Sequence, residues 1–247
     1  MHATYNFDFL DTISRQLYEK LEGLSPTPLT AETLAELVTF QMVNHAWQGV
    51  YMLYMGGRPV YIGKADGVRD RLFQHLTKLS GRKNITMDNV AYKCLLLDKS
   101  MSTAANENIL MGLFMQHHQG MWNNSGFGPK DPGKERDTTK PSKFDQAHPI
   151  NVDFFVNLTL SETIGSLFAK MKQSLPFVFR YETLPEHTAN AAVDLVNTPH
   201  TALALLTKAM LAFEPGWRAA VLHYGMVIYK TAKAYPHAIQ VIDAPPA

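Results

Sequence analysis

The chain has 247 residues, 46% of them hydrophobic, enough for one compact domain with at most an appended subdomain. No window approaches the ~18 consecutive apolar residues of a membrane span, and the start MHATYNFDFLDTISRQ lacks the basic-then-apolar pattern of an export signal, so a soluble, cytoplasmic protein without a membrane partner is expected. A single cysteine, Cys94 in the apolar run AYKCLLL, excludes disulfides and Cys-rich zinc sites and reads as a small buried hydrophobe.

In chain order, Phe9, Ile13, Leu17 and Leu21 recur at helical spacing until Pro26 and Pro28 end the run, which predicts an amphipathic first helix. A second helix starts from Thr30 as N-cap, with Glu32 and Glu36 in its early turns, and carries Leu34, Leu37, Val38 and Met42 through to about His45. Both helices belong to an acidic stretch. Residues 1 to 40 hold six acids against Arg15 and Lys20. Next, GVYMLY and RPVYIG flank Gly56-Gly57, a two-residue hairpin signal, so a hairpin is expected over 49 to 63.

A basic helix should follow over 67 to 79, with Val68, Leu72, Leu76 and Leu79 on the core stripe and Arg69, Arg71 and His75 elsewhere. Arg71 and His75 are i and i+4, hence neighbours. Charge reverses here. Arg58, Lys64, Arg69, Arg71, Lys78, Arg82 and Lys83 face only Asp66 and Asp70 in residues 58 to 83. Within a chain of net charge +1, that is either a phosphate track or a solvated helix face.

VAYKCLLLD reads as a buried third strand, and a helix then opens at Ser102 or Thr103 and runs to about His118, with Glu107 in its early turns and Ile109, Leu110, Leu113 and Phe114 inward. Residues 120 to 150 are dense in Gly, Pro, Asn and Lys. That is a long loop of the kind that serves binding. The last hundred residues alternate helical pattern, about 161 to 174 and 198 to 212, with the strand-like FVFRYE and a hairpin RAAVLHYGMVIYK. The tail from Asp243 should fray.

Five residues in order, Tyr51, Tyr61, Arg71, Glu107 and Asn123, supply what phosphodiester hydrolysis needs: a more basic water, neutralised phosphate charge and help for the departing 3′-oxygen. A guanidinium donates bidentately to phosphate and never loses its charge. A carboxylate suits magnesium, which takes one or two protein oxygens and completes its shell with water and phosphate.

GVY at 49 to 51, ten residues, then YIG at 61 to 63 resembles the signature of the GIY-YIG nucleases. Arg71 and His75 are similar to that family's R-x-x-x-H helix, and Glu107 and Asn123 follow in its order. Trp122-Asn123, Gly126 to Gly128, Asp131 to Gly133 and His148-Pro149 resemble its restriction-endonuclease branch, which cuts G/C-rich palindromes such as CCGCGG. Val50 departs from the motif's isoleucine, and Arg69 is a second arginine near the expected position.

The resemblance implies an α+β fold: a small three-stranded antiparallel sheet flanked by helices, with additional helical and hairpin elements at both ends. The whole chain would form one domain: an N-terminal helical segment at 1 to 46, the catalytic core at 47 to 124, and a DNA-binding loop with a C-terminal α+β extension from 125. It further implies that Tyr51 takes the water proton, Tyr61 orients water or phosphate, Arg71 binds the phosphate, Glu107 holds magnesium or manganese in its place, and Asn123 holds the loop or a phosphate oxygen. A free phenol, with a pKa of about 10, needs help at neutral pH, and either Lys64 or His75 is placed by sequence to give it. Lys64, Arg69, Lys130, Lys134 and Arg136, with Lys140 and Lys143, are the candidate DNA contacts.

A type II site-specific nuclease acting on double-stranded DNA as a homodimer is therefore expected. A monomeric homing or repair-type nuclease and an inactive DNA-binding protein are the alternatives. The pair His117-His118 diverges by ~100° on a helix and reads as structural or solvent-exposed. No G-x-x-x-x-G-K-[ST] loop occurs, so no nucleoside triphosphate is expected.

Overall fold

The computed structural model describes every residue except 1, 3, 5–7, 99–106, 119–121, 129, 130 and 247, and at residue 107 the backbone only. The chain divides into two compact units: Met1–Leu76 with Thr86–Pro129, and Thr77–Ile85 with Lys130–Ala247. Among the described residues no helix is long and apolar enough to cross a membrane.

The first unit begins with α1 (Phe9–Glu22), whose N-cap Asp8 accepts a hydrogen bond from the Asp11 amide. Its core face is Ser14, Leu17, Tyr18 and Leu21, and Phe9 lies exposed instead of opening that stripe. After the two-residue strand β1 (Thr27–Pro28), α2 (Ala31–Asn44) starts at the expected Thr30 cap and buries Leu34, Leu37 and Gln41. Met42 points outward. Then β2 (Gly49–Met55) and β3 (Arg58–Ala65) form the expected hairpin, with Gly56 and Gly57 at φ 58° and 76°, the left-handed turn that two-residue hairpins require.

Next, α3 (Val68–Ser80) leads toward β4 (Val90–Leu96), and α4 (Glu107–His117) follows. The N-cap expected at Ser102 or Thr103 lies outside the described residues. Strand order is β1-β4-β2-β3, antiparallel throughout, so the three expected strands are joined by a short fourth and β3 is an edge. Because side chains alternate across a sheet, Val50, Met52, Tyr54 and Ile62 fall on one face. There they pack with Leu17, Leu21, Leu110, Leu113 and Phe114 of α1 and α4. Tyr51 and Leu53 point to the opposite face.

The second unit is built from α5 (Lys143–Ala147), β5 (Ser161–Thr163), α6 (Ile164–Ser174), β6 (Val178–Tyr181), α7 (Glu186–Asn190), β7 (Ala192–Asp194), α8 (Ala202–Met210), β8 (Trp217–Leu222), β9 (Gly225–Lys230) and β10 (Gln240–Asp243). Its main sheet runs β10-β8-β9-β6, with β6 parallel to β9. Leu167, Phe168, Leu205 and Leu206 fill its core against Phe179, Val221 and Ile228. Asp243 does not fray. It closes β10 and is held by both ends of the Arg218 guanidinium, at Nε and Nη2. The loop expected over 120 to 150 contains a 3-10 turn at Lys134–Arg136 as well as α5.

Candidate active site

The hairpin register sets the site. Tyr51 stands opposite Gly63, and Leu53 opposite Tyr61, in continuous register, with a bulge only beyond the second pair, between Leu53 and Tyr54. Cross-strand partners share a face, so both phenols project to the side opposite α1 and α4. Their ring centres are 6.1 Å apart. Gly63 is glycine for a steric reason: a Cβ there would lie 2.6 Å from the Tyr51 hydroxyl and 2.9 Å from Cε1 of Tyr61. The glycine of YIG makes room for the tyrosine of GVY.

On α3, Val68, Leu72, His75 and Leu79 form the buried stripe, and Leu76 is only half-buried. His75 thus takes the core place that periodicity predicts for Leu76. A fully buried imidazole requires a polar partner, and Tyr51 provides it: its hydroxyl lies 2.9 Å from His75 Nε2. Tyr51 is 1% exposed; Tyr61 is half-buried and is the phenol nearer solvent. Arg71 sits one turn before His75 and is also half-buried.

Asn123 approaches from the loop after α4. Its Oδ1 accepts from the Ile62 amide at 3.0 Å and its Nδ2 donates to the Ile62 carbonyl at 2.9 Å. The amide thereby acts as one more residue of strand on the open edge of β3. Just before it, Trp122 N donates to the Val60 carbonyl at 2.7 Å. Phe127, four residues on, lies against the imidazole of His75, with ring centres 4.9 Å apart and planes 22° apart, and it meets Tyr61 edge-on. Sequence reasoning assigned no role to Phe127 or Trp122, although G-F-G and W-N were the signals at those positions.

Glu107 heads α4, the helix that backs the face opposite Tyr51; its side chain lies outside the described atoms. At the far end of α4, His118 Nε2 lies 3.0 Å from the Tyr18 hydroxyl and 3.2 Å from a Glu22 carboxylate oxygen. These contacts seat α4 against α1. They also give His118 the partners that the sequence did not show.

Of the candidate DNA contacts, Lys130 lies outside the described residues. Lys64 is half-buried on β3. Arg69 pairs with Asp70 and lies 5.0 Å over the Phe73 ring. In the second unit, Lys134 rests 4.4 Å over Tyr229 and Arg136 is exposed. Arg180 grips Asp131 and Asp137, and Asp137 also accepts from Tyr224. Its neighbours raise the Arg180 pKa despite a burial cost, through the Tyr229 and Asp131 hydrogen bonds and the Asp137 charge.

Against known proteins, residues 55–153 match the family model described as the Eco29kI GIY-YIG domain. That stretch is similar to a GIY-YIG nuclease domain of the restriction-endonuclease kind. The match takes in Tyr61, Arg71, His75, Glu107 and Asn123 and starts four residues after Tyr51; the hairpin pairing of Tyr51 with Gly63 supplies the half of the motif that precedes it. No curated protein matches the chain. A GIY-YIG domain is that of a DNA-cleaving hydrolase, and its α+β architecture is the one described above.

Cys94 is half-buried in β4, where burial pushes its thiol up to about 11. It has no thiolate character at neutral pH, although it stands opposite Tyr51 across the β2–β4 pairing.

Proposed function

We propose that the protein is a type II restriction endonuclease, cutting double-stranded DNA at a short G/C-rich palindrome as a homodimer with magnesium. The observation that carries the reading is the contact of the Tyr51 hydroxyl with His75 Nε2, beside Tyr61 and one helical turn from Arg71. Of the two groups that sequence allowed as helper for Tyr51, this contact favours His75 over Lys64. In the proposed reaction, water forms the new bond to phosphorus while the bond to the 3′-oxygen breaks. The water proton passes to Tyr51 Oη as the phenol gives its own to His75 Nε2, and the 3′-oxygen takes a proton from solvent. Tyr61 orients the water or a phosphate oxygen. Arg71 binds the phosphate through its planar fork. Asn123 holds the loop to β3 and acts on the chemistry through position.

Magnesium demands oxygen ligands and keeps several waters. Among the described residues no three His, Cys, Asp or Glu side chains are grouped to hold an ion. By its place in the family's motif order Glu107 would be the carboxylate that holds the ion, with phosphate and water completing the shell. Bound there, the ion would neutralise charge on the phosphate and the departing oxygen. As for organisation, residues 47 to 124 are proposed as the catalytic core, and the flanking segments as the source of DNA grip and dimer contacts.

Incubating plasmid DNA with the protein and magnesium, then sequencing the ends, tests the reading. Discrete fragments with one shared end sequence are expected, and smeared or absent cleavage would overturn it. Glu107→Ala should abolish cutting while leaving DNA affinity largely intact; a variant that still cuts removes Glu107 from the mechanism.

A further inference from the structure

We infer that Phe127 is the positioning residue for His75, a role that rests on the proposed part of His75 in the reaction. An imidazole serves Tyr51 only while one ring edge presents Nε2 to the phenol; a flip about its outer torsion would present carbon instead. Tyr51 fixes that edge at 2.9 Å. Tyr51 and Tyr61 are tilted 48° and 60° to the imidazole plane. Phe127, at 22°, lies nearly flat on it. A flat ring packed on a flat ring restricts its rotation. Phe127 also carries no polar atom, so it covers the imidazole face without competing for Nε2.

The loop is built to deliver this ring. Trp122 and Asn123 tie it to Val60 and Ile62 on the edge of β3. The Ser125 amide and hydroxyl both return to the Trp122 carbonyl, and Gly126 takes φ 89°, a turn that glycine adopts without strain. Phe127 then enters the aromatic group 92% shielded from solvent, with Trp122 at 4.9 Å behind it. An edge strand, an amide clamp and a glycine turn thus converge on one ring contact.

The test is a double-mutant cycle on the full chain, with a DNA duplex carrying the cleavage site, magnesium, and single-turnover rates measured beside DNA affinity and melting temperature. Phe127→Ala should slow cleavage roughly tenfold to a hundredfold, the scale of an ångström-level misplacement, with DNA affinity changed by less than about threefold. His75→Ala should be slow, and the double variant no slower than His75→Ala alone. Losses that multiply in the double variant would overturn the inference, as would Phe127→Ala cutting at the full rate while His75→Ala does not. Full-rate cutting by His75→Ala would instead sink the role proposed for His75 itself. Should Phe127→Ala not hold its fold, Phe127→Leu keeps the apolar bulk without the flat face and carries the same cycle with the same criteria.

Discussion

At the scale of single residues, the site depends as much on an absent side chain as on those present. Gly63 faces Tyr51 across the hairpin, and a methyl group there would press on two aromatic rings that are themselves packed. Overfilling a packed site typically costs ~1–3 kcal/mol, and here the relief must come from moving the phenols. Gly63→Ala is therefore expected to fold with a lowered melting temperature and to lose cleavage far out of proportion. Wild-type cleavage by a well-folded Gly63→Ala would show that the phenols tolerate displacement. His75 teaches a related lesson about reading sequences. Its spacing from Arg71 was legible, but its burial was not, because periodicity ranks a histidine below the neighbouring Leu76. Only the phenol of Tyr51, 24 residues earlier, makes the buried place suitable for an imidazole.

At the scale of elements, the hairpin over 49 to 63 was legible because Gly-Gly between alternating runs has one favoured turn. The edge closure by Asn123 was not, since an asparagine after a tryptophan reads as an ordinary turn residue and its partner Ile62 is 61 residues away. Asn123→Ala should leave the Ile62 amide and carbonyl to solvent, costing roughly 1–3 kcal/mol. Hydrogen exchange at Ile62 should quicken while the β2–β4 ladder stays protected. Protection unchanged at Ile62 would mean the clamp is not what closes that edge. In the second unit, Glu162 leads from β5 into α6 and is held well down, to about 2, by hydrogen bonds from Lys170 and the hydroxyls of Thr159 and Ser166, with the Lys170 charge adding to them. A carboxyl whose folded pKa is depressed stabilises the fold above its unfolded pKa and loses that contribution as pH falls. The second unit should therefore weaken from about pH 4.5 toward 2, and Glu162→Gln should flatten that limb of a melting-temperature profile. An identical acid limb in the variant would assign it to other groups.

At the scale of the whole molecule, a net charge of +1 leaves DNA affinity to local cations, and the structure thins the basic stretch that the sequence suggests. Arg82, one of its seven cations, is buried. It donates to Asp145 at 2.8 Å and to the carbonyls of His148 and His223. Lys83 pairs with Asp153, and burial together with Arg82 pulls Lys78 down to about 8. What a linear count takes for a phosphate track is thus partly an internal joint of the second unit, and Arg58, Lys64, Arg69 and Arg71 are the cations left in the first.

Affinity measured against salt separates the two kinds. Each phosphate contact adds about 0.9 to the slope of log affinity on log salt, so Arg69→Ala should lower that slope by roughly one with little change in melting. Arg82→Met should do the reverse. It leaves the Asp145 carboxylate buried without its guanidinium, with the Ser142 hydroxyl still donating to it, a loss on the order of 3–5 kcal/mol, while the slope stays where it was. A lowered slope in a folded Arg82→Met protein would return Arg82 to the DNA surface and contradict its burial.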